Sequence, residues 1–229
     1  LHTGDLHIGK RLNGFSLLED QQHILGELRR LAREEKADAL VLAGDIYDKT
    51  TPAAEAVTVL DDFLTGLHQD GIPVLLISGN HDSPERLRFG ARLLANGGVH
   101  IAASLTDAFQ PWLFQRGEEK VQLWLLPFVR PAAARLALGD EGLLTYDQAV
   151  SAMVQAMEPD PACRQVLAAH QFVVNAGETP KQYESEQLSV GGVDQVEVGA
   201  FAAFDYVALG HLHGPQQVGR PTVRYAGSP

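Results

Sequence analysis

The sequence has little cysteine and no long apolar run. Cys163 is the only cysteine among 229 residues, so an internal disulfide is excluded and a reducing compartment is expected. The densest apolar runs, Ala39–Ala43 and Val74–Ile77, fall far short of the ~18 residues that a membrane-spanning helix needs. We therefore expect no membrane segment.

Basic residues are also scarce. Lys and Arg number 18 against 29 Asp and Glu, which leaves a formal net charge of −11. Such a chain repels nucleic acid at long range. This argues only weakly against a polyanionic substrate, because carboxylates that bind metals inflate the count of acidic residues and local basic patches can dominate.

The length and composition are typical of one globular domain. Apolar residues make up 45% of the chain, and a chain of this size buries roughly 70% of its unfolded surface without help from disulfides or metals. It begins at Leu1 without Met or a signal peptide and stops at Pro229. We expect a single domain over residues 1–229, trimmed slightly in front and more severely behind from a longer chain.

Strand and helix patterns alternate through the first hundred residues. Apolar residues recur at helical spacing in Ser16–Glu35 and Pro52–His68, and Ser83 with the following proline is typical of a helix start. Short apolar runs at Ala39–Leu42 and Val74–Ile77 predict buried strands. This alternation predicts a parallel sheet covered by helices.

The second half has a different pattern. Trp112–Phe114 and Val121–Leu126 flank a turn and predict a hairpin, and a capping box at Thr145 opens a helix to about Met157. Residues 174–198, rich in Gly, Glu and Gln, are predicted to form a loop. Further apolar strands are predicted at Val166–Ala169, Tyr206–Leu209 and Thr222–Tyr225.

Side chains that bind metals follow several of the short apolar segments, at the sheet edge where ligands bind in open α/β folds. The segments are Asp5-Leu6-His7, Gly44-Asp45-Ile46-Tyr47-Asp48, Gly79-Asn80-His81-Asp82, His170, and Gly210-His211-Leu212-His213. Carboxylate, amide and imidazole donors without cysteine favour Mn, Fe or Zn over a soft metal. The sequence therefore indicates a candidate metal centre.

Spacing supports convergence of these side chains. In Asp5-x-His7 and His211-x-His213, alternate residues of an extended segment would point the same way. Each residue alone has an ordinary explanation, since a lone His is usually a core or surface residue and a lone Asp often forms a turn. Together they would be costly to bury, and a dinuclear metal centre would compensate them all.

In chain order, Asp-x-His, Gly-Asp-x-x-Asp, Gly-Asn-His-Asp, a later His and Gly-His-x-His resemble the five-part signature of the calcineurin-like metallophosphoesterase superfamily. The resemblance implies an α/β fold, a four-layer α/β/β/α sandwich. Longer stretches are similar to the nuclease subunits of bacterial DNA-end processing complexes, across essentially the whole chain. These stretches are Leu1–Lys10, Ala43–Asp48, Leu126–Phe128, Phe204–His213 and Tyr225–Pro229.

The resemblance implies two Mn²⁺ ions that together activate water and neutralise charge on the phosphoryl oxygens. The implied ligands of the first ion are Asp5, His7, Asp45 and His213. Those of the second are Asp45, Asn80, His170 and His211, so that Asp45 bridges. His81 would face the phosphate as general acid or transition-state stabiliser and would not bind metal.

For other polar residues near the motifs, the sequence allows two interpretations each. Asp48 either orients a ligand or the nucleophile, or caps the following turn. Four basic residues beside the motif loops either contact phosphate or are ordinary exposed charges. They are Lys10, Arg11, Arg86 and Arg88.

The resemblance also implies a function, that of a metal-dependent nuclease subunit in the bacterial cytoplasm. It would degrade duplex DNA ends as an exonuclease and cut hairpins and single strands as an endonuclease, in DNA repair, recombination and replication. An ATPase subunit is the implied partner, and the full-length protein would be a homodimer. The resemblance implies that the chain of such proteins continues past the position of Pro229 into DNA-capping and ATPase-binding regions, which we expect to be absent from this sequence.

Two alternatives belong to other functional classes. A small-molecule or nucleotide phosphodiesterase would use the same dinuclear core without an ATPase partner. A non-enzymatic scaffold is disfavoured, because such chains usually lose some ligands and here each expected ligand and His81 are present.

Overall fold

The computed structural model describes residues 1–176, 178, 180–181 and 194–229. The strands are β1 (His2–Thr3), β2 (Arg11–Leu12), β3 (Phe15–Ser16), β4 (Leu40–Ala43), β5 (Val74–Ile77), β6 (Val99–Ala102), β7 (Trp112–Arg116), β8 (Glu119–Leu126), β9 (Arg164–His170), β10 (Phe172–Val174), β11 (Gln195–Glu197), β12 (Tyr206–Gly210), β13 (Gln216–Val218) and β14 (Arg220–Tyr225). The α-helices are α1 (Leu18–Glu34), α2 (Ala54–Gln69), α3 (Pro84–Leu87), α4 (Ala91–Leu94), α5 (Pro131–Leu138) and α6 (Tyr146–Gln155). Across these described ranges, no helix combines the length and apolar character needed to cross a bilayer.

The first sheet has the order β1-β4-β5-β6, and every neighbouring pair is parallel. Strands β4 and β5 consist of Leu, Val, Ile and Ala and are buried throughout, as expected for strands covered on both faces. Helices α1 and α2 cover one face, where Leu25 and Phe63 join a core with Leu40 and Leu76. The predicted alternation of strands and helices is confirmed.

The second sheet is mixed, with the order β13-β14-β12-β9-β8-β7. Its inner strands are parallel, whereas the pairs β13–β14 and β7–β8 at its two edges are antiparallel. Helix α6 begins in the predicted capping box, where Thr145 Oγ1 accepts a hydrogen bond from the Gln148 main-chain N–H at 3.2 Å. Its Met153 packs in a core with Trp124 and Leu167 of the sheet.

The two sheets pack face to face. A third core lies between them and joins Val41 and Leu75 of the first sheet to Leu123, Leu125 and Ala168 of the second. Because helices cover both outer faces, the layers are helix, sheet, sheet, helix. The predicted four-layer α/β/β/α sandwich is confirmed.

The loop predicted for residues 174–198 is wrong at both described ends. Val174 completes β10, and Gln195–Glu197 form β11, which pairs with β10 in parallel with Val173 opposite Val196. Val196 is fully buried in the second core, but one apolar residue between polar neighbours is a weak strand signal. Most of the predicted loop lies outside the described residues.

The helix predicted from Ser83 is divided into two short ones. Ser83 caps α3 as expected, since its Oγ accepts a hydrogen bond from the Arg86 main-chain N–H at 3.4 Å. Gly90 then adopts a left-handed conformation with φ of 74° and separates α3 from α4. This glycine directs the chain back towards β6.

Candidate metal centre

The site begins with two neighbouring loops that follow β1 and β4. The main-chain N–H of Asp5 donates to Gly44 O at 3.0 Å, and that of His7 donates to Asp45 O at 2.9 Å. Asp5, His7 and Asp45 have left-handed backbones, with φ of 56°, 44° and 50°. Such conformations cost about 1–3 kcal/mol each in non-glycine residues, so the packed fold must hold them in place.

The extended conformation assumed for Asp5-x-His7 and His211-x-His213 is therefore wrong. Besides Asp5 and His7, His211 also has positive φ, at 109°. The side chains still converge, but through consecutive kinks of the loops and not through strand alternation.

The first half of the site joins the two sheets through Asp5, His7 and the loop after β12. His7 Nε2 lies 3.2 Å from His213 Nε2. The Asp5 carboxylate accepts a hydrogen bond from the main-chain N–H of His211, at 3.0 and 3.1 Å from its two oxygens. Residues separated by 206 positions in the chain are thus adjacent.

The second half is centred on Asp45 and Asn80. Asp45 Oδ2 lies 3.4 Å from His170 Nε2 and 3.7 Å from His7 Nε2. Asn80 Oδ1 lies 3.0 Å from both His170 Nε2 and His211 Nδ1. Asp45 therefore stands between the two halves, next to donor atoms of each.

His81 lies at the edge of this cluster. Its main-chain N–H donates to Asp45 Oδ1 at 2.9 Å, and its Nδ1 lies 3.0 Å from the carbonyl oxygen of Asp48. The Asp48 carboxylate lies 3.9 Å from His7 Nδ1. The Asp48 side chain therefore lies near a proposed ligand, and its orienting role stays a prediction beside that of a turn cap.

Two glycines allow the sheets to approach this closely. Gly44 has a left-handed φ of 87°, and a Cβ at this position would collide with the imidazole of His170. A Cβ on Gly210 would collide with the carbonyl oxygen of Ala43 across the sheet interface. That carbonyl also lies 2.7 Å from His170 Nδ1 and so fixes the imidazole that comes from β9.

Burial keeps most of the imidazoles neutral. It lowers the pKa of His7 and of His211 to about 3 and also lowers the pKa of His213. Burial alone would lower the pKa of His170, but the Asp45 carboxylate raises it to about 9. Burial disfavours the charged form of Asp45, yet its contacts with His170 and His7 hold the Asp45 pKa below its usual range.

The donor set fits divalent metal ions. The buried atoms His7 Nδ1 and His211 Nε2 lack a hydrogen-bond partner within the described part of the chain. Neutral imidazoles and carboxylates are the forms that bind metals. Three groups have ligand atoms within 4.8 Å of one another: Asp5, His7 and His213; His7, Asp45 and His81; and Asp5, Asp45 and His170. Because His81 belongs to one group, its exclusion from the ligands stays a prediction.

Asp82 supports the site, and the sequence analysis gave it no role. Its buried carboxylate accepts hydrogen bonds from the main-chain N–H groups of Ile46 at 3.1 Å, Tyr47 at 2.9 Å and Gly79 at 2.9 Å. Burial and the nearby Asp45 charge raise its pKa to about 6. Asp82 thereby ties the loop after β4 to the loop after β5. The position of Asp82 at the end of the motif Gly-Asn-His-Asp was the sequence signal from which a role in the site could have been predicted.

Gln21 is a second supporting residue that the sequence analysis missed. From α1, its Nε2 donates to the carbonyl oxygens of Leu6 at 3.0 Å and His7 at 2.8 Å. Its Oε1 accepts from the Gly9 main-chain N–H at 2.9 Å. It braces the kinked loop that presents His7. The sequence offers no signal for this role of Gln21, because polar residues are common in amphipathic helices and only the fold places this one against a loop.

The candidate phosphate-binding residues differ in their surroundings. Arg88 pairs with Asp107 at 3.0 Å, and Arg11 donates to the carbonyl oxygen of Gly14. Lys10 lines the same cleft as Asp5 and His7. Of these residues, Lys10 is therefore the best placed to meet an anion at the cluster.

The fold and the donor set agree with the comparison to known families. Residues 1–215 match the family model of calcineurin-like phosphoesterases, and the chain belongs to this family. Its members use divalent metal ions, as the donor cluster also indicates.

A comparison with individual proteins narrows the similarity further than the family match does. The chain is 35% identical over 232 residues to the SbcD subunit of the nuclease SbcCD from Staphylococcus epidermidis. The alignment covers 100% of this chain and 60% of that protein. The chain thus spans less than two thirds of the length of the curated relative that it matches.

Proposed function

We propose that this chain is the catalytic part of a metal-dependent DNA nuclease subunit, acting as a double-strand exonuclease and as a hairpin and single-strand endonuclease. The observation that carries the proposal is the position of Asp45, within 3.4 Å of His170 from one sheet and 3.7 Å of His7 from the other. A carboxylate between two imidazole groups is what a bridging ligand requires. The name of the relative, a subunit of a nuclease, supports a phosphodiester in nucleic acid as the substrate.

The proposed cofactor is a pair of divalent ions, and the family resemblance favours Mn²⁺. The proposed ligands of the first are Asp5, His7, Asp45 and His213, and those of the second are Asp45, Asn80, His170 and His211. When bound, two such ions supply an acidified water and neutralise charge that develops on phosphoryl oxygens.

The residues of the chain itself orient the reacting groups. His81 is the proposed general acid: Asp48 O accepts from its Nδ1–H at 3.0 Å, so Nε2 is the atom that would carry a proton to the leaving oxygen. Its main-chain N–H holds Asp45 Oδ1 at 2.9 Å and thus links proton donor and bridging carboxylate. Asn80 Oδ1 fixes the imidazoles of His170 and His211.

The proposed partners are duplex DNA ends, DNA hairpins and an SbcC-type ATPase, in the bacterial cytoplasm. The relative is named as one subunit of SbcCD, which supports a complex of this kind. A homodimer of the full-length protein is also proposed. Exposed apolar side chains on and beside the short helices after the site, Phe89 at 87% and Leu93 at 77%, support a contact between protein surfaces there.

A side-by-side assay tests the proposal. The chain is stripped of metal and then supplied with Mn²⁺ or Mg²⁺. One reaction contains end-labelled duplex and hairpin DNA, and the other contains a chromogenic phosphodiester. We expect Mn²⁺-dependent DNA cleavage that His81→Ala abolishes.

Hydrolysis of the diester alone would favour a small-molecule phosphodiesterase. The assay is then repeated on the full-length chain with its ATPase, because the present chain covers only 60% of the length of its relative. DNA that stays intact there as well, while the diester is hydrolysed, would refute the nuclease proposal.

A further inference from the structure

A groove of about 420 Å³ adjoins the candidate metal centre. Its walls are α3, the segment after β6 and the stretch from Phe128 through α5. Its lining residues include Leu105, Phe128, Arg130, Ala133 and Leu136. None of these five is among the proposed metal ligands.

Phe128 belongs to both the groove and the metal centre. Its ring centroid lies 6.1 Å from that of His170 and 6.3 Å from that of His211, and its ring plane is 22° from that of His211. The groove therefore lies directly beside His170 and His211, two of the proposed ligands of the second ion. A nucleotide whose phosphate lies at the cluster would thus have the groove next to it.

Arg130 stands at the junction between groove and cluster. Its Nη2 donates to the carbonyl oxygen of Asn80 at 3.3 Å, and its guanidinium carbon lies 5.1 Å from the centroid of the Phe128 ring. Its side chain is exposed, and none of the ion pairs in the described part of the chain involves it. The guanidinium is thus oriented but not neutralised by a carboxylate, which suits it to bind an anion.

The remaining walls are largely apolar. Leu105 and the exposed face of α5, with Ala133 and Leu136, line the groove, and Leu136 is 85% exposed. One carboxylate, Glu85, also lines it and accepts a hydrogen bond from Ser83 Oγ at 3.0 Å. A cation at the mouth, an aromatic ring and apolar walls match a nucleotide, in which a phosphate is joined through a sugar to a flat aromatic base whose faces can stack.

We propose that this groove binds the nucleoside next to the cleaved phosphodiester, with Arg130 binding the attached phosphate. The inference rests on the proposed function and makes it more specific, since it assigns a nucleotide subsite on the side of His170 and His211. It also supplies a local positive charge on a chain whose net charge is −11.

Equilibrium binding to metal-stripped protein tests the subsite. Calorimetry compares thymidine 5′-monophosphate with 2-deoxyribose 5-phosphate, which lacks the base. The variants are Ala133→Phe, which fills the groove, and Arg130→Gln. Ala132→Phe is the matched control, because Ala132 is exposed on the same helix but does not line the groove.

We expect Ala133→Phe to weaken binding of the nucleotide at least about fivefold, the low end of a base-stacking contribution, and to leave the sugar phosphate unaffected. Arg130→Gln should weaken both ligands, and Ala132→Phe neither. The subsite would be overturned if the two phenylalanine variants had equal effects, or if the unaltered chain bound both ligands with equal affinity. It would also be overturned if the nucleotide did not bind at millimolar concentration. DNA cleavage that continues with Ala133→Phe at the control's KM would overturn it while leaving the nuclease proposal intact.

Discussion

The two sheets contribute to the site in different ways. In the first sheet, β1, β4 and β5 are neighbours in the sheet, and each leads directly into a loop that carries candidate ligands. In the second sheet, β9 lies between β8 and β12, and the edges are hairpin-like antiparallel pairs. Its contributions, His170 at the end of β9 and the pair after β12, are far apart in the chain.

This difference shows that neither sheet holds a complete site. Several contacts join them, among them His170 Nδ1 with Ala43 O at 2.7 Å, the Asp5 carboxylate with the main-chain N–H of His211, and His7 with His213. The first sheet brings all the proposed carboxylate and amide ligands together with one imidazole, and the second brings imidazoles only. The candidate metal centre therefore forms only when the two sheets are packed together.

The largest expected effect comes from removing the carboxylate between the sheets. Asp45→Ala should lose both proposed metal ions together, because Asp45 lies beside donors from both sheets. Metal content per chain after equilibration with Mn²⁺ measures this. Asp61→Ala, an exposed position on α2, is the control. Retention of two tightly bound ions by Asp45→Ala would contradict a bridging role.

Replacement of His81 should separate chemistry from metal binding. We expect His81→Ala to keep both ions but lower the turnover of a chromogenic phosphodiester by about 10²–10⁴-fold, the usual contribution of a general acid. Metal content and turnover are measured on the same sample. If the metal content falls in parallel with the turnover, His81 is a ligand and its assigned role is wrong.

The interface between the sheets can be disrupted without replacing a proposed ligand, although a Cβ on Gly210 would also meet His170 Nδ1. In Gly210→Ala, the added Cβ would collide with Ala43 O, and we expect a loss of roughly 1–3 kcal/mol or more in the free energy of unfolding. Gly26→Ala is the matched control, since it has open space in α1 and should be neutral or stabilising by up to about 1 kcal/mol. Urea unfolding compares the two. Equal stabilities would show that the sheets can separate slightly at no cost.

The smallest expected effect comes from an ion pair between α1 and α2, the helices that cover the first sheet, away from the interface between the sheets. Arg29 donates two hydrogen bonds to the Asp70 carboxylate and thereby joins α1 to the end of α2. Asp70→Asn should lower the unfolding temperature by less than Gly210→Ala does, because both side chains are near solvent.

The same ion pair predicts a dependence on pH. The hydrogen bond from Arg29 lowers the pKa of Asp70, so its stabilising contribution is present above the usual carboxyl pKa near 4 and is lost as the pH falls through the lower folded value. The difference between the unaltered chain and Asp70→Asn should shrink below about pH 4. A difference that grows on acidification would mean that another group is responsible.

Sequence patterns predicted most elements of both sheets, because their strands are short, apolar and bounded by turn residues. Strand β5 has the predicted bounds, Val74–Ile77. The hairpin β2–β3 was missed, although Asn13 and Gly14 at its turn are a typical hairpin pair with φ of 49° and 87°. Strand β11 was missed for a physical reason, since only Val196 is buried and the pairing with β10 is non-local.

The residue types of the candidate site could also be predicted, whereas their geometry could not. The motifs identified the residues that the structure brings together around Asp45 and Asn80. The hydrogen bonds by which Asp82 and Gln21 support the site were not predictable, since side-chain bonds to the main chain of a neighbouring loop produce no periodic pattern in the sequence. Arg130 was missed because its significance depends on the ring of Phe128 and the carbonyl of Asn80, which lies 50 positions earlier.

Local apolar patterns and motifs a few residues long were enough to predict the fold class, the family and the kinds of donor atom. The tertiary structure decided which donors meet. The left-handed conformations of Asp5, His7 and Asp45 are unfavourable in an isolated chain. They persist because the packed sheets supply hydrogen bonds from residues up to 206 positions away. The same packing creates the groove beside Arg130, since its walls come from three separate segments of the chain.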